Sequence, residues 1–343
     1  MRLMIPLAAV LLSACAPKVR MEMVRAADVT VPSTVQKVAL IDRSGASNVG
    51  QGILGAIEGA LTGEGIGADT EGRREALRGL REMLATSERY EVIVAAGIDS
   101  ERSLFDRELS WRGASRICRQ AGCDAIVALE AFDSDSYMDV DTRQVERTDA
   151  NGRKIRVTEY TAQRDTRVLT AWRIYDPDTQ RILDDLRDRT DSYSWTGTGD
   201  SRAEAISRIP SPNETVRISA YRAGSWYGRR IAPTPMIIGR PFYGGGSPEL
   251  KLAKRYLKAR DFEGAVTEYT ALLEHGDPKV SGRASYNLAV AQEALGLLNP
   301  ALISARQAAV VLGNGRSRRY VSELEYRIRQ RDRVQEQLAA PPA

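Results

Sequence analysis

Histidine is almost absent from this sequence: of 343 residues, His275 is the only one. A His-based triad, a two-His metal site or an imidazole proton shuttle would each have to draw on that single side chain. Cysteine is scarce too. Cys15, Cys118 and Cys123 fit neither a thioredoxin-like Cys-x-x-Cys nor a zinc knuckle. Aromatic residues make up 6%, a poor basis for base-stacking platforms, and 49 Lys+Arg against 45 Asp+Glu leave a formal charge of only +4. No nucleic-acid partner is expected. The glycines Gly63, Gly65 and Gly67 lie well beyond the apolar segment at 37–42, and no Lys-Ser/Thr pair follows them. They form neither a dinucleotide fingerprint nor a P-loop, so no cofactor is expected, and no metal. Past the N-terminus no apolar run approaches the roughly 18 residues of a membrane span. The remaining composition, 43% hydrophobic and 27% charged, supports buried cores, about two domains at this length.

The first fifteen residues read MRLMIPLAAVLLSAC: Arg2, then an apolar run from Leu3 to Leu12, too short to span a bilayer but suited to a signal-peptide core. The run ends in Leu12-Ser13-Ala14-Cys15, which resembles the lipobox of bacterial lipoproteins. The resemblance implies removal of residues 1–14 and acylation of Cys15. Because Ala16 and Pro17 follow and no Asp does, it also implies delivery to the outer membrane, facing the periplasm. Residues 15–35 show no consistent period and read as a lipid-anchored tether.

Residues 36–243 read as a periplasmic α/β domain. KVALID from Lys37 is a strand ended by a turn, and Leu77, Leu80 and Leu84 lie at helical spacing in Arg73–Thr86. YEVIVA from Tyr90 is the next strand. Ser110 then caps a helix over Trp111–Gln120 that Gly122 ends. CDAIVALEAF is nearly all apolar, as a central, covered strand requires. Tyr137–Gln163 reads as a long polar hairpin turning at Asp149–Gly152. VLTAWRIYD and RILDDL pair across Pro177-Asp178, a helix runs from about Glu214 to Arg230, and MIIGRPFY supplies a last strand. Cys118 falls in a helix's last turn and Cys123 at the start of the next strand. Either a local disulfide or two buried thiols would look like this.

The order β-α-β-α-β-β-β-α-β describes a mixed-sheet α+β fold. It resembles the periplasmic domain shared by the curli-secretion lipoprotein, the amino-terminal part of the Tol-system β-propeller protein and lipoprotein activators of peptidoglycan synthases. That resemblance implies protein binding or assembly rather than catalysis. The segments at Leu61–Asp69 and Tyr227–Pro233 further resemble a family of uncharacterised bacterial lipoproteins.

After Gly244–Gly246, residues 247–338 read as an all-α tail. Ser247-Pro248-Glu249 starts a helix, and two segments align at a 36-residue offset. Leu252, Ala253, Tyr256, Phe262, Ala265 and Tyr269 resemble the tetratricopeptide pattern, answered by Leu288, Ala289, Gly296, Ala301, Ala305 and Ala308. The resemblance implies a concave groove lined by Lys254, Lys258, Arg283 and Asn287, able to hold a carboxylate or peptide backbone. A helix over Arg316–Leu338 caps the pair, with Arg327, Arg329, Arg331 and Arg333 read as a solvated basic face, the alternative being contact with anionic head groups or an acidic partner. The expected function is therefore a non-enzymatic, outer-membrane-anchored module that binds unidentified envelope proteins. The alternatives are an envelope hydrolase using paired carboxylates, Asp133 with Asp135 or Glu64 with Asp69, and a self-assembling secretion component.

Overall fold

The computed structural model describes residues 17–44, 68–95 and 108–339. The signal segment 1–14, Cys15, the glycine run at 63–67 and Glu64 lie outside the described residues. The chain divides into two compact units, residues 26–234 with 335–343 and residues 1–25 with 235–334.

Strand β1 (Lys18–Arg25) belongs to the second unit. The α/β unit then runs β2 (Lys37–Asp42), α1 (Ala68–Ala85), β3 (Glu91–Val94), α2 (Trp111–Ala121), β4 (Ala125–Thr148), β5 (Lys154–Asp176), β6 (Arg181–Gly199), α3 (Arg202–Ser207) and α4 (Pro212–Ile231). Its sheet has the order β3-β2-β4-β5-β6. β2 runs parallel to β3 and β4, and β4, β5 and β6 form an antiparallel meander. Period-2 alternation sorts the strands: Val38, Leu40, Val127, Leu129 and Trp172 face α1 and α4, whereas Ile41, Ile126, Ala128 and Tyr175 face α2. The indole of Trp172 stacks on Tyr227 of α4, ring centroids 4.9 Å apart.

The helix ends follow local chemistry. Ser110 Oγ accepts the Gly113 N–H to start α2, and Gly122 at φ 71 ends it. Ser211 caps α4 through the Glu214 N–H, with Pro212 in the first turn. At the hairpin tip, Asp149 Oδ1 accepts the N–H groups of Asn151 and Arg153 and so closes the turn.

The helical unit contains β7 (Thr234–Pro241, from Pro235 onward), α5 (Pro248–Ala259), α6 (Phe262–Ala271), α7 (Pro278–Ala294), α8 (Leu298–Leu312) and α9 (Gly315–Leu338, through Val334). Two readings of the sequence are corrected here. Residues 18–25 are no tether: Val19 and Met21 are buried, and β1 pairs with β7 in a two-stranded ribbon. MIIGRPFY is accordingly a strand of that ribbon and not of the main sheet, and the compact α/β unit itself runs to Thr234. The physical reason is burial: Val19, Met21 and Phe242 join the core of the helices. No helix among the described residues is long and apolar enough to cross a membrane.

Candidate functional site

The face expected to form a peptide groove holds a peptide already, and that peptide is the chain's own. Asn287 is fully buried. Its Oδ1 accepts the Tyr243 N–H at 2.8 Å, while its Nδ2 donates to the Tyr243 carbonyl at 2.9 Å and to the Tyr269 hydroxyl at 3.1 Å. Lys254 Nζ donates to the Gly244 carbonyl and Arg283 Nη1 to the Gly245 carbonyl, each at 2.8 Å. Gly246 has φ +133, and a Cβ there would meet Arg283 Nη1 at 2.2 Å. Arg283 could swing aside, but L side chains rarely adopt that backbone conformation, so glycine is favoured there. The expectation of a free groove is thus corrected. Lys254, Arg283 and Asn287 do converge, but on residues 243–245. Lys258 stands apart, exposed, beside Pro17 and Lys18. The alignment identified the face; it carried no information about linker carbonyls folding onto it.

Beneath this segment lies a charge cluster that sequence reasoning missed. Glu293 is fully buried and accepts from Arg240 at 2.8 Å, Arg327 at 2.6 Å and the Tyr320 hydroxyl at 2.8 Å. Arg240 also meets Glu323 at 2.6 Å. Burial opposes the charge on Arg240, but the Glu293 hydrogen bond and the charges around it hold its pKa above the ordinary value. Burial first, then the Glu293 charge, raises the Tyr320 phenol well above its usual range. Arg327 is therefore not on a solvated face. It is 8% exposed and tied to Glu293 and to the Glu22 carbonyl of β1.

In the α/β unit, a second buried network closes the end of β2. Arg43 Nη1 donates to both Glu130 oxygens at 2.8 and 2.9 Å and to the Tyr175 hydroxyl at 3.1 Å. That hydroxyl donates to Glu130 at 2.6 Å and accepts the Leu109 N–H at 3.1 Å. Desolvation, with Glu130 second, pushes Tyr175 up to about 12. Cys118 and Cys123 form a disulfide, with Cα atoms 4.6 Å apart. The disulfide lies in the wall of a cleft of about 540 Å³ that Asp124 and Asp176 also line. Both acids have structural work there: Asp124 accepts the N–H groups of Gln36 and Lys37, and Asp176 closes the turn at 176–179.

Of the carboxylates singled out in the sequence, Asp69 accepts the Ser134 hydroxyl at 2.7 Å. Asp133 is half-buried, and burial, followed by the charges of Asp135 and Asp69, raises its pKa from 3.8 to about 6. A carboxyl protonated more readily in the folded state stabilises that state below the unfolded pKa, and the contribution is lost as pH rises through about 6. Asp133→Asn should therefore gain stability at pH 7, by about 1 kcal/mol once solvent screening is allowed for. The gain should vanish at pH 4. Urea unfolding at the two pH values checks this, and an equal gain at both would refute it.

One edge of β4 lacks a strand partner over much of its length among the described residues. β2 pairs with β4 only from Ala125 to Leu129, whereas β5 accompanies β4 to Thr148. Among the described residues, no strand pairs with the other edge of β4 from Asp133 onward. The hairpin is braced instead by surface ion pairs, Arg143 and Arg147 with Glu159, and Arg147 with Asp200.

Residues 35–243, more than half of the chain, match the domain of unknown function DUF8603. The chain belongs to the DUF8603 family. Residues 251–327 match a second domain of unknown function, DUF6340. No curated protein matches the chain. The DUF8603 stretch contains the disulfide, the Arg43–Glu130–Tyr175 network and the whole β4 edge, and it ends at Tyr243, the residue whose backbone Asn287 grips.

Proposed function

We propose that the chain is a lipoprotein anchored in the outer membrane through acylated Cys15, working as a non-enzymatic docking module for another envelope protein. The anchor is supported by Leu12-Ser13-Ala14-Cys15 closing an apolar run behind Arg2. The docking role is carried by one observation: among the described residues, one edge of β4 has no strand partner over Asp133–Thr148. An extended segment of a partner can add there as a strand, taking affinity from main-chain hydrogen bonds and selectivity from alternate side chains. Asp135, Asp139, Asp141 and Arg143 along β4 are the kind of charges that keep an open edge from pairing with copies of itself.

Two finer readings accompany this one. The order β2-α1-β3-α2-β4 supports kinship with the curli-secretion and Tol-like periplasmic domain. Consecutive helices α5 with α6 and α7 with α8, at the 36-residue offset, support two tetratricopeptide-like repeats, with the β1–β7 ribbon and α9 covering what further repeats would cover.

A photo-crosslinking residue placed at Tyr137, 67% exposed on β4, should give an adduct with a discrete envelope protein in membranes. The same residue at Ile303, equally exposed on α8, should not. No adduct from Tyr137 removes the edge as the docking site. Cys15→Ser should abolish fatty-acid labelling and outer-membrane fractionation; retention of both would remove the anchor.

A further inference from the structure

A basic cleft lies immediately after the residue that carries the proposed lipid. It is about 240 Å³ in volume, with Lys18, Arg20, Lys258 and Arg260 at its rim and Phe242 and Leu257 in its floor. Strand alternation produces half of the rim: Lys18 and Arg20 point outward while Val19 and Met21 enter the core. The other half comes from the end of α5, where Lys258 sits in the last turn and Arg260 caps it at φ 63. Cations at a helix C-terminus complement its dipole, which accounts for that pair but not for the two on the strand.

The lining contains no carboxylate, and none of the four cations has an ion-pair partner among the described residues. The neighbouring acids do not neutralise them. Glu22 lies further along the outward face of β1, and Asp261 accepts the Gly264 N–H to cap α6. Pro17 is fixed at the mouth of the cleft, its carbonyl accepting the Phe242 N–H at 3.0 Å.

We propose that this cleft seats the phosphate headgroups of anionic lipids in the leaflet that holds Cys15. The proposal rests on the anchor reading above. Two residues of chain reach at most about 7 Å, so acylation at Cys15 would hold Pro17, and the cleft beside it, at the bilayer surface. Each basic group near an anionic surface strengthens attachment roughly fivefold, and four clustered groups act together. A charged cleft beside an acyl anchor supplies the second signal that stable membrane attachment draws on.

The test uses the mature chain carrying Cys15→Ser, which has no lipid, so that vesicle binding reads the cleft alone. It should sediment with vesicles of phosphatidylcholine and phosphatidylglycerol, but not with phosphatidylcholine alone. Lys18→Glu with Arg20→Glu and Lys258→Glu should reduce that binding at least ~10-fold while the melting temperature stays unchanged, because exposed charges contribute little to folding. Arg153→Glu with Lys154→Glu, at the hairpin tip of the α/β unit and outside the cleft lining, should bind as the parent does. Equal binding to both vesicle types, no binding to either, or full binding by the triple variant would overturn the proposal. Displacement by inorganic phosphate at constant ionic strength would also overturn it, making the cleft a site for a free anion. Fatty-acid labelling of the unmodified chain in cells reports on Cys15 separately, so failure of the anchor and failure of the cleft are distinguishable.

Discussion

Glu293→Ala should destabilise the helical unit by about 3–5 kcal/mol, the usual penalty for breaking a buried ion pair from one side. The carboxylate has no exposed surface, and both of its arginine partners are largely buried, with side-chain exposures of 13% for Arg240 and 10% for Arg327. Removing it strands two guanidinium groups in a site built around its charge, and Tyr320 loses its acceptor. Glu323 offsets part of this for Arg240, to which it is already bonded, but Arg327 has no second carboxylate among its bonded partners. Glu293→Gln should cost less than alanine, because the amide retains an acceptor for one arginine. Chemical unfolding followed at the tyrosines of this unit is the measurement. A loss under about 1 kcal/mol for the alanine variant would mean the cluster relaxes or hydrates freely.

Gly224→Ala should be nearly as damaging, in the other unit. Helices α1 and α4 cross with their backbones in contact: a Cβ on Gly224 would lie 1.8 Å from the Ala76 carbonyl oxygen, and one on Gly79 would lie 2.1 Å from that of Tyr221. Neither obstacle is a side chain that can rotate away, so the helices must separate. That strains a core in which Leu80, Leu84, Val216 and Tyr227 are all buried. A loss of about 3 kcal/mol or more is expected, at the upper end for overpacking. Gly72→Ala provides the contrast, since its Cβ would meet the Phe132 ring, a side chain with some freedom to shift. Urea midpoints ranking the Gly72 variant above the Gly224 variant would support this reading, and the reverse order would refute it.

The sequence was most legible where local chemistry decides structure. Ser110 and Gly122 mark the ends of α2, Pro212 marks the start of α4, and the apolar run after Cys123 marks the central strand, because caps and patterning act over a few residues. Strand β1 has a signal as well: Lys18, Arg20 and Glu22 alternate with Val19, Met21 and Met23. The run is short, and its pairing partner lies more than two hundred residues away. The groove shows a different limit. The resemblance to the repeat pattern points to the face on which Lys254 of α5 and Arg283 and Asn287 of α7 converge. What occupies that face depends on backbone carbonyls of a glycine linker, which side-chain patterns do not encode. Glu293 was unreadable for the same reason, its partners Arg240 and Arg327 being contributed by separate segments.

The β1–β7 ribbon also dictates an order of assembly. Strand β1 is among the first described parts of the chain to be made, yet its partner strand and the helices it packs against come from the last third. The sheet of the α/β unit draws on residues 37–199 and can close while β1 is still single. The helical unit cannot complete until both ends of the chain are present, and that loop closure is the long-range, slow step of folding. Until then Val19 and Met21 stay exposed on an unpaired strand next to the segment bearing Cys15. Any truncation beginning at Ser247 would omit Val19, Met21, Phe242 and Tyr243, and would leave the helices with an uncovered apolar face instead of an independent domain.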